Sequence, residues 1–233
     1  MKTAIVITNF NYGRFVTSAI DSALNQSLTP DELVIVDDTS TDDSVKIIEK
    51  HLKEVSSKYP TKIKLIVHNS NQGLPTSRNT GITNTTSELI GFLDADDIYY
   101  QPKMQASRDV LLDFPEISCI YSDYDVMDLR NGQSRREFKF SYDVGLLLQT
   151  CIVSTNSVFH RKFFESVGLY NPAVKVAEDY ELYLRAHKNQ LFWHIPEPLF
   201  LYRLHGKNIT LTQADQMMRN EAEYKRRLLN ASY

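Results

Sequence analysis

Cysteine is almost absent from this chain: there are two residues in 233, Cys119 and Cys151, with no CxxC spacing around them. That excludes a disulfide framework and a cysteine-built zinc site. Two lone thiols fit a reducing, cytoplasmic compartment, where both are expected to be buried. Glycine is sparse as well, at eight residues, and no GxGxxG follows a strand-like run, which excludes a dinucleotide-binding dehydrogenase. The glycine-rich N-terminal loop of a sugar nucleotidyltransferase is also missing, since "TNFNYGRF" holds Gly13 alone. No apolar run approaches the ~18 residues that span a bilayer. The run in "MKTAIVITNF" reaches Asn9 too soon for a signal peptide and is expected to be the first strand. Neither charge sign dominates: 26 Lys and Arg against 29 Asp and Glu leave a net charge of -3, with no broad electrostatic basis for binding nucleic acid.

What is present is a folded composition, 42% hydrophobic with 11% aromatic and 24% charged residues, on a chain long enough for one sizeable core. "TAIVITN" reads as a strand, and Val16, Ala19, Ile20, Ala23 and Leu24 then recur at helical spacing. The unit repeats with "ELVIVDD" and "DDSVKIIEKHLKEV", then with "KIKLIVHN" and "LPTSRNTGIT", whose Pro75 sits in a first turn, and a fourth strand follows in "ELIGFLDADD". Alternating strands and helices predict an α/β fold with a mostly parallel central sheet flanked by helices. Ligands of such sheets bind at the carboxyl ends of the strands. Here those ends carry Asn9, Asp37 with Asp38, Asn69 with Asn71, and Asp94 with Asp96 and Asp97.

Beyond residue 100 the pattern turns mixed. We expect a helix near 103–114, strands near 118–126 and 136–140, a helical "YDVGLLLQ", a strand "TNSVFHR" and a helix ended by Gly168. After a polar loop come a helix "DYELYLRAHK", strands around 190–204 and a charged helix "LTQADQMMRNEAEYKRRLLN". With no repeat or linker, the halves are expected to pack as one unit.

Several carboxylates at one strand end repel each other unless a counter-charge is supplied, and a divalent cation such as Mg²⁺ or Mn²⁺ that bridges to substrate phosphates would supply it. The same acids can also serve as solvated caps, so "DADD" gains weight from its neighbours. "VIVDDTSTDDS" ends a strand in acids followed by small hydroxyls, groups that can accept from a base edge and a ribose. "NQGLPTSRNTGI" places Gly73 where backbone can approach a ligand, and Arg78 where a guanidinium can reach phosphate or pin a neighbouring acid. Together they point to a nucleoside diphosphate.

Six segments in order, "IVITNFNYGRFVTSAIDSALNQSL", "ELVIVDDTSTDDS", "NQGLPTSRNTGI", "FLDADD", "VGLYNP" with "EDYELYLR", and "LYRLH", resemble the inverting glycosyltransferases of family 2 with the GT-A fold. The resemblance implies a nucleotide-sugar donor, UDP first, and transfer with inversion to an acceptor hydroxyl on a glycan or lipid-linked glycan of a surface polysaccharide. It further implies a nucleotide-sugar-binding half over 1–97, an acceptor-binding and catalytic half over 98–207 and a C-terminal helix over 208–233. By it, Asp38 faces the base with Thr8 and Asn9 or Asn11, while Asp94 and Ala95 lie toward the ribose. Asp96 and His205 hold Mn²⁺ or Mg²⁺, and Arg203 touches the diphosphate. Thr39 departs from the family's usual glycine after the paired acids.

Glu178 and Asp179 are a second acidic pair, opening a helix, and the resemblance assigns the catalytic acid function to them. Helical spacing puts Asp179 on the face of Leu182, Tyr183 and Ala186, and Glu178 toward Glu181 and Arg185, the more solvated side. Partial desolvation then favours Asp179 as the base. The rival to an enzyme is an inactive sugar-nucleotide-binding or scaffold protein of the same fold. In the last helix, Met217, Met218, Tyr224, Leu228 and Leu229 beside Arg219, Lys225, Arg226 and Arg227 offer a face for the inner membrane surface, for the domain itself or for a second copy. The Asn-x-Ser/Thr sites at Asn84, Asn208 and Asn230 carry no meaning in a cytoplasmic chain.

Overall fold

The computed structural model describes residues 1–230, with side chains through Arg227, so the contacts expected of Leu228 and Leu229 and the Asn230 site lie outside the described residues. Four strands, β1 (Thr3–Asn9), β2 (Glu32–Asp37), β3 (Lys62–Val67) and β4 (Leu89–Asp94), pair in parallel in the order β3-β2-β1-β4. Helices α1 (Gly13–Leu24), α2 (Ser44–Val55) and α3 (Leu74–Thr83) connect them. Because alternate strand residues face opposite sides, Ile5, Ile7, Leu33 and Ile35 pack under α1 and α2, whereas Val6, Val34, Val36, Ile90 and Phe92 form the core on the α3 side. β1 and β2 are buried at every position, as expected of strands covered on both faces.

The sheet continues across β4 into a mixed half. It comprises β5 (Ile98–Tyr99), α4 (Lys103–Asp113), β6 (Ile117–Asp128), β7 (Gln133–Glu137), α5 (Val144–Leu147), β8 (Val158–His160), α6 (Lys162–Val167), α7 (Glu178–Ala186) and β9 (Leu191–Leu204). β8 runs antiparallel to β4 and β6, β9 is parallel to β6, β5 is antiparallel to β9, and β7 pairs with β6 alone. The result is a mixed sheet that is parallel through its first four strands.

Several boundaries differ from the sequence expectation. β7 is earlier than 136–140, because a turn in which Gly132 N donates to Asp128 O, with Gly132 at φ +74°, brings the chain back at once. The helix expected over "YDVGLLLQ" shrinks to α5. The strands expected around 190–204 are one strand, β9, which crosses Pro196 and Pro198 by shifting its register on β6 between Ser122 and Asp123. The last helix is two, α8 (Ile209–Thr212) and α9 (Ala214–Asn230). α9 packs on the domain: Asn220 Nδ2 donates to Val176 O, Tyr224 sits against the core, and Met218 stays exposed. Cys119 is buried, but Cys151, expected to be buried, is only half so. No helix among the described residues is long and apolar enough to cross a membrane.

Candidate active site

β1 pairs in register with β2 and β4, so Thr8 lies level with Val36 on one side and Asp94 on the other. The loops leaving these strands therefore meet at one edge. Three groups of side chains assemble there.

The first belongs to the loop after β2. Asp38 is buried, and its carboxylate is committed inside the protein: Oδ1 accepts from the Gln72 amide (2.8 Å) and pairs with His68 Nδ1 (2.7 Å), and Oδ2 accepts from the Gly73 amide (2.7 Å). Gly73 caps α3 at φ +88°; a Cβ there would meet only Pro75 Cδ, so backbone conformation rather than space demands glycine. Asn9 Nδ2 donates to Asp37 Oδ2 (2.6 Å), and Asn11 Oδ1 accepts from the Thr41 amide (2.7 Å), tying the β1 end to this loop. Thr39, where the resembled family more often has glycine, keeps φ +62° and steadies the turn by donating its hydroxyl to His68 O (2.8 Å).

The second group surrounds Asp96. Its Oδ2 lies 2.9 Å from His205 Nε2 and accepts weakly from Asn208 Nδ2 (3.4 Å). Tyr12 and Phe15 enclose the imidazole, with ring centroids at 5.4 and 4.7 Å. Burial, with Asp94 nearby, pushes the Asp96 carboxyl above the usual range while His205 pulls it down. Asp97 is fully buried and faces inward, accepting from Asn156 Nδ2 (2.6 Å) and the Arg203 amide (3.0 Å). Arg203 clamps this turn, because its guanidinium donates to the carbonyls of Ala95, Asp96 and Asp97, to Phe15 O and to Ser18 Oγ. Ala95 is buried within it.

Asp96 and His205 suit a divalent cation. A carboxylate oxygen and an imidazole nitrogen are donors that such a cation accepts, and here the two stand 2.9 Å apart as a hydrogen-bonded pair. Among the described residues no cluster of three His, Cys, Asp or Glu could hold a metal, so substrate oxygens and water would complete the shell.

The third group is built on Arg78. Its guanidinium is 2% exposed, and Nη1 donates to Glu178 Oε1 (2.8 Å) and Asp179 Oδ1 (2.7 Å) while Nη2 reaches Asp94 Oδ1 (3.4 Å). Of the two options read from sequence, pinning a neighbouring acid is the one observed. Asp94 also accepts from Thr8 Oγ1 and Thr155 Oγ1 (both 3.3 Å), and its amide donates to Asn156 Oδ1 (2.9 Å). Burial, and then Asp179, push Glu178 up to about 7; Asp179 is likewise raised by burial, with Arg78 opposing.

This geometry corrects the helical-face expectation. Glu178 does not turn toward Glu181 and Arg185: its side chain is 10% exposed and Asp179's is 21%, the reverse of the order expected. Arg78 draws both first-turn acids to the sheet edge, and neighbours cover α7 so widely that Tyr180, Leu182, Tyr183, Leu184 and Ala186 are all buried. Tyr170, Asn156, Asn208 and Tyr12 went unread. "VGLYNP" carried Tyr170 without a sign of its partner, Asn156 acts through tertiary contacts that leave no spacing signal, and Asn208 joins local bonds to Arg203 O and the His205 amide with a long one to Asp96.

The architecture matches solved structures of the GT-A class. Staphylococcus aureus TarS 1–349 in complex with UDP-GlcNAc superposes with a TM-score of 0.75 over 96% of this chain and 66% of that one, at 17% identity. The mannosyltransferase PcManGT from Pyrobaculum calidifontis, in complex with GDP-Man and Mn²⁺, gives 0.66 over 86% and 56%, at 17% identity. These likenesses establish a GT-A-like α/β fold. Residues 4–168 match Glycosyl transferase family 2, and the chain belongs to that family. An uncharacterized glycosyltransferase of Nostoc sp. is 31% identical over 96% of this chain and 71% of its own length. The chondroitin synthase of Escherichia coli is 25% identical over 93% of this chain, which spans only 31% of that protein.

Proposed function

We propose that this chain transfers a sugar from a nucleoside-diphosphate sugar, UDP-sugar first, to an acceptor hydroxyl on a glycan or lipid-linked glycan, with inversion at the anomeric carbon. The observation that carries the reading is the bridge made by Arg78, which joins the Asp94 end of β4 to the Glu178–Asp179 start of α7. In this reading the base and the donor site share one sheet edge, since Asp94 on the bridge lies two residues before Asp96 of the Asp96–His205 pair. UDP is preferred because TarS binds UDP-GlcNAc and chondroitin synthase is a relative.

In this reading Asp179 takes the proton of the acceptor hydroxyl as that oxygen bonds to the anomeric carbon. The bond from that carbon to the donor phosphate oxygen breaks, and its electron pair leaves with the diphosphate. Burial raises the Asp179 carboxyl above the ordinary carboxylate range, which makes it a stronger proton acceptor than an exposed aspartate. Mn²⁺ or Mg²⁺ held by Asp96 and His205 would supply positive charge toward the leaving diphosphate. Arg203 fixes the backbone that aims Asp96, and Asp38 fixes the turn at Gly73. Release of UDP from a panel of UDP-sugars with a glycan acceptor tests the reading, with Asp179→Asn as the variant expected to be silent; equal release by that variant would overturn it.

A further inference from the structure

Tyr170 stands in the loop between Gly168 and α7, 2% exposed. Its backbone is pinned twice to α3: Asn79 Nδ2 donates to Tyr170 O (2.8 Å) and the Tyr170 amide donates to Asn79 Oδ1 (2.9 Å). The ring lies against Phe92 and Phe164, with centroids at 5.9 and 6.2 Å, and the Arg78 guanidinium stands 5.3 Å from its centre. The hydroxyl held in this way donates to Asp179 Oδ1 at 3.1 Å. Arg78 Nη1 donates to that same oxygen at 2.7 Å. Among the described residues nothing donates to Oδ2, although the carboxylate is the more exposed of the acidic pair.

We infer that Tyr170 and Arg78 are positioning residues that commit Oδ1 of Asp179 to the protein and reserve Oδ2 as the oxygen that takes the acceptor's proton. The inference rests on the base role proposed above for Asp179. Two donors from different elements on one oxygen fix the carboxylate's torsion, because rotating it would break both bonds. Glu178 shares the Arg78 nitrogen but has no tyrosine on it and is less exposed, so the two acids are chemically unequal despite being adjacent. Donors to a carboxylate also favour its ionised form, the form a base needs. The groups facing Asp179 are Arg78 on α3, Asp94 at the end of β4, Tyr170 in its loop, Glu178 and Tyr183 on its own helix, Cys119 on β6 and Cys151 ahead of β8. Of these, only Arg78 and Tyr170 hydrogen-bond to it.

Tyr170→Phe keeps the ring among its aromatic neighbours and removes one donor, so transfer by the full chain is measured for this variant, the wild type and Asp179→Asn between about pH 5 and pH 9. A hydrogen bond to a charged group carries the expected loss: kcat falls roughly 10- to 100-fold. Donor KM stays unchanged, and the rising limb of kcat moves to higher pH because the ionised base has lost a donor. A merely structural tyrosine would leave that limb in place. The inference is overturned if Tyr170→Phe matches the wild type in kcat and pH profile while Asp179→Asn is inactive. If Asp179→Asn turns over like the wild type, the base reading falls instead.

Discussion

Replacing Arg78 with methionine removes the one cation that three carboxylates share while keeping much of the side chain's bulk. Glu178, Asp179 and Asp94 would then face one another across the place of a buried cation, each itself partly buried. Removing one partner of a buried ion pair costs about 3–5 kcal/mol, and for a chain of this length each kcal/mol lowers Tm by about 2–4 °C, so the expected loss is about 6–20 °C. The dependence on pH separates this cause from simple loss of packing. Glu178 in the wild type is raised from 4.5 to about 7, so the folded protein holds a proton that the unfolded chain has released. Its contribution is fully present below about 4.5 and is lost as pH rises through about 7, amounting to about 3 kcal/mol at most. Without Arg78, which opposes that rise, Glu178 and Asp179 are raised further, and proton uptake relieves the variant in acid. Thermal unfolding followed by circular dichroism should therefore show a larger deficit at about pH 8 than at about pH 5. An equal deficit at both, or one below about 1 kcal/mol, would refute the electrostatic account.

Two further outcomes follow from other parts of the structure. Mn²⁺ with UDP should raise the wild-type Tm, and EDTA or Asp96→Ala should remove that rise; an undiminished shift in Asp96→Ala would show that the cation binds elsewhere. Gly81→Ala should lower the urea midpoint, because the added Cβ would overlap Val6 Cγ1 and stand only 3.0 Å from Cγ2. The overlap with Val6 Cγ1 puts the overpacking toward the upper end of about 1–3 kcal/mol, above the ~1 kcal/mol helix gain from replacing glycine, so a stabilised variant would contradict the close approach of α3 to β1.

The parallel half of the sheet was legible because its signals are local. Apolar runs of strand length ended in Asn9, Asp37 and Asp94, and the intervening helices showed their apolar faces. Asp96 and His205 were paired in advance only through the family resemblance, since 109 residues separate them and no spacing rule joins them. The faces of α7 were misread because helical periodicity assumes one buried side, whereas Arg78 draws Glu178 inward and packing leaves little of that helix in solvent. The strands expected around 190–204 are the single strand β9, because the sheet accommodates Pro196 and Pro198 with a shift in register. Arg78 offered two chemistries, phosphate contact and acid pinning, and the pinning depends on the folded positions of Asp94, Glu178 and Asp179, which no local pattern gives. Tyr170 escaped notice for the same reason, as its role lies in a single hydroxyl aimed at a residue on another element.

The central claim is that Asp179 performs chemistry at an edge built to hold a nucleotide sugar, and one comparison tests it most directly. UDP-sugar binding and UDP release are measured on wild type and Asp179→Asn with Mn²⁺ and a glycan acceptor. The account predicts similar donor affinity in the two proteins, with UDP release in the variant lower by about 10²-fold or more. Release at the wild-type rate by Asp179→Asn, with donor affinity intact, would contradict it.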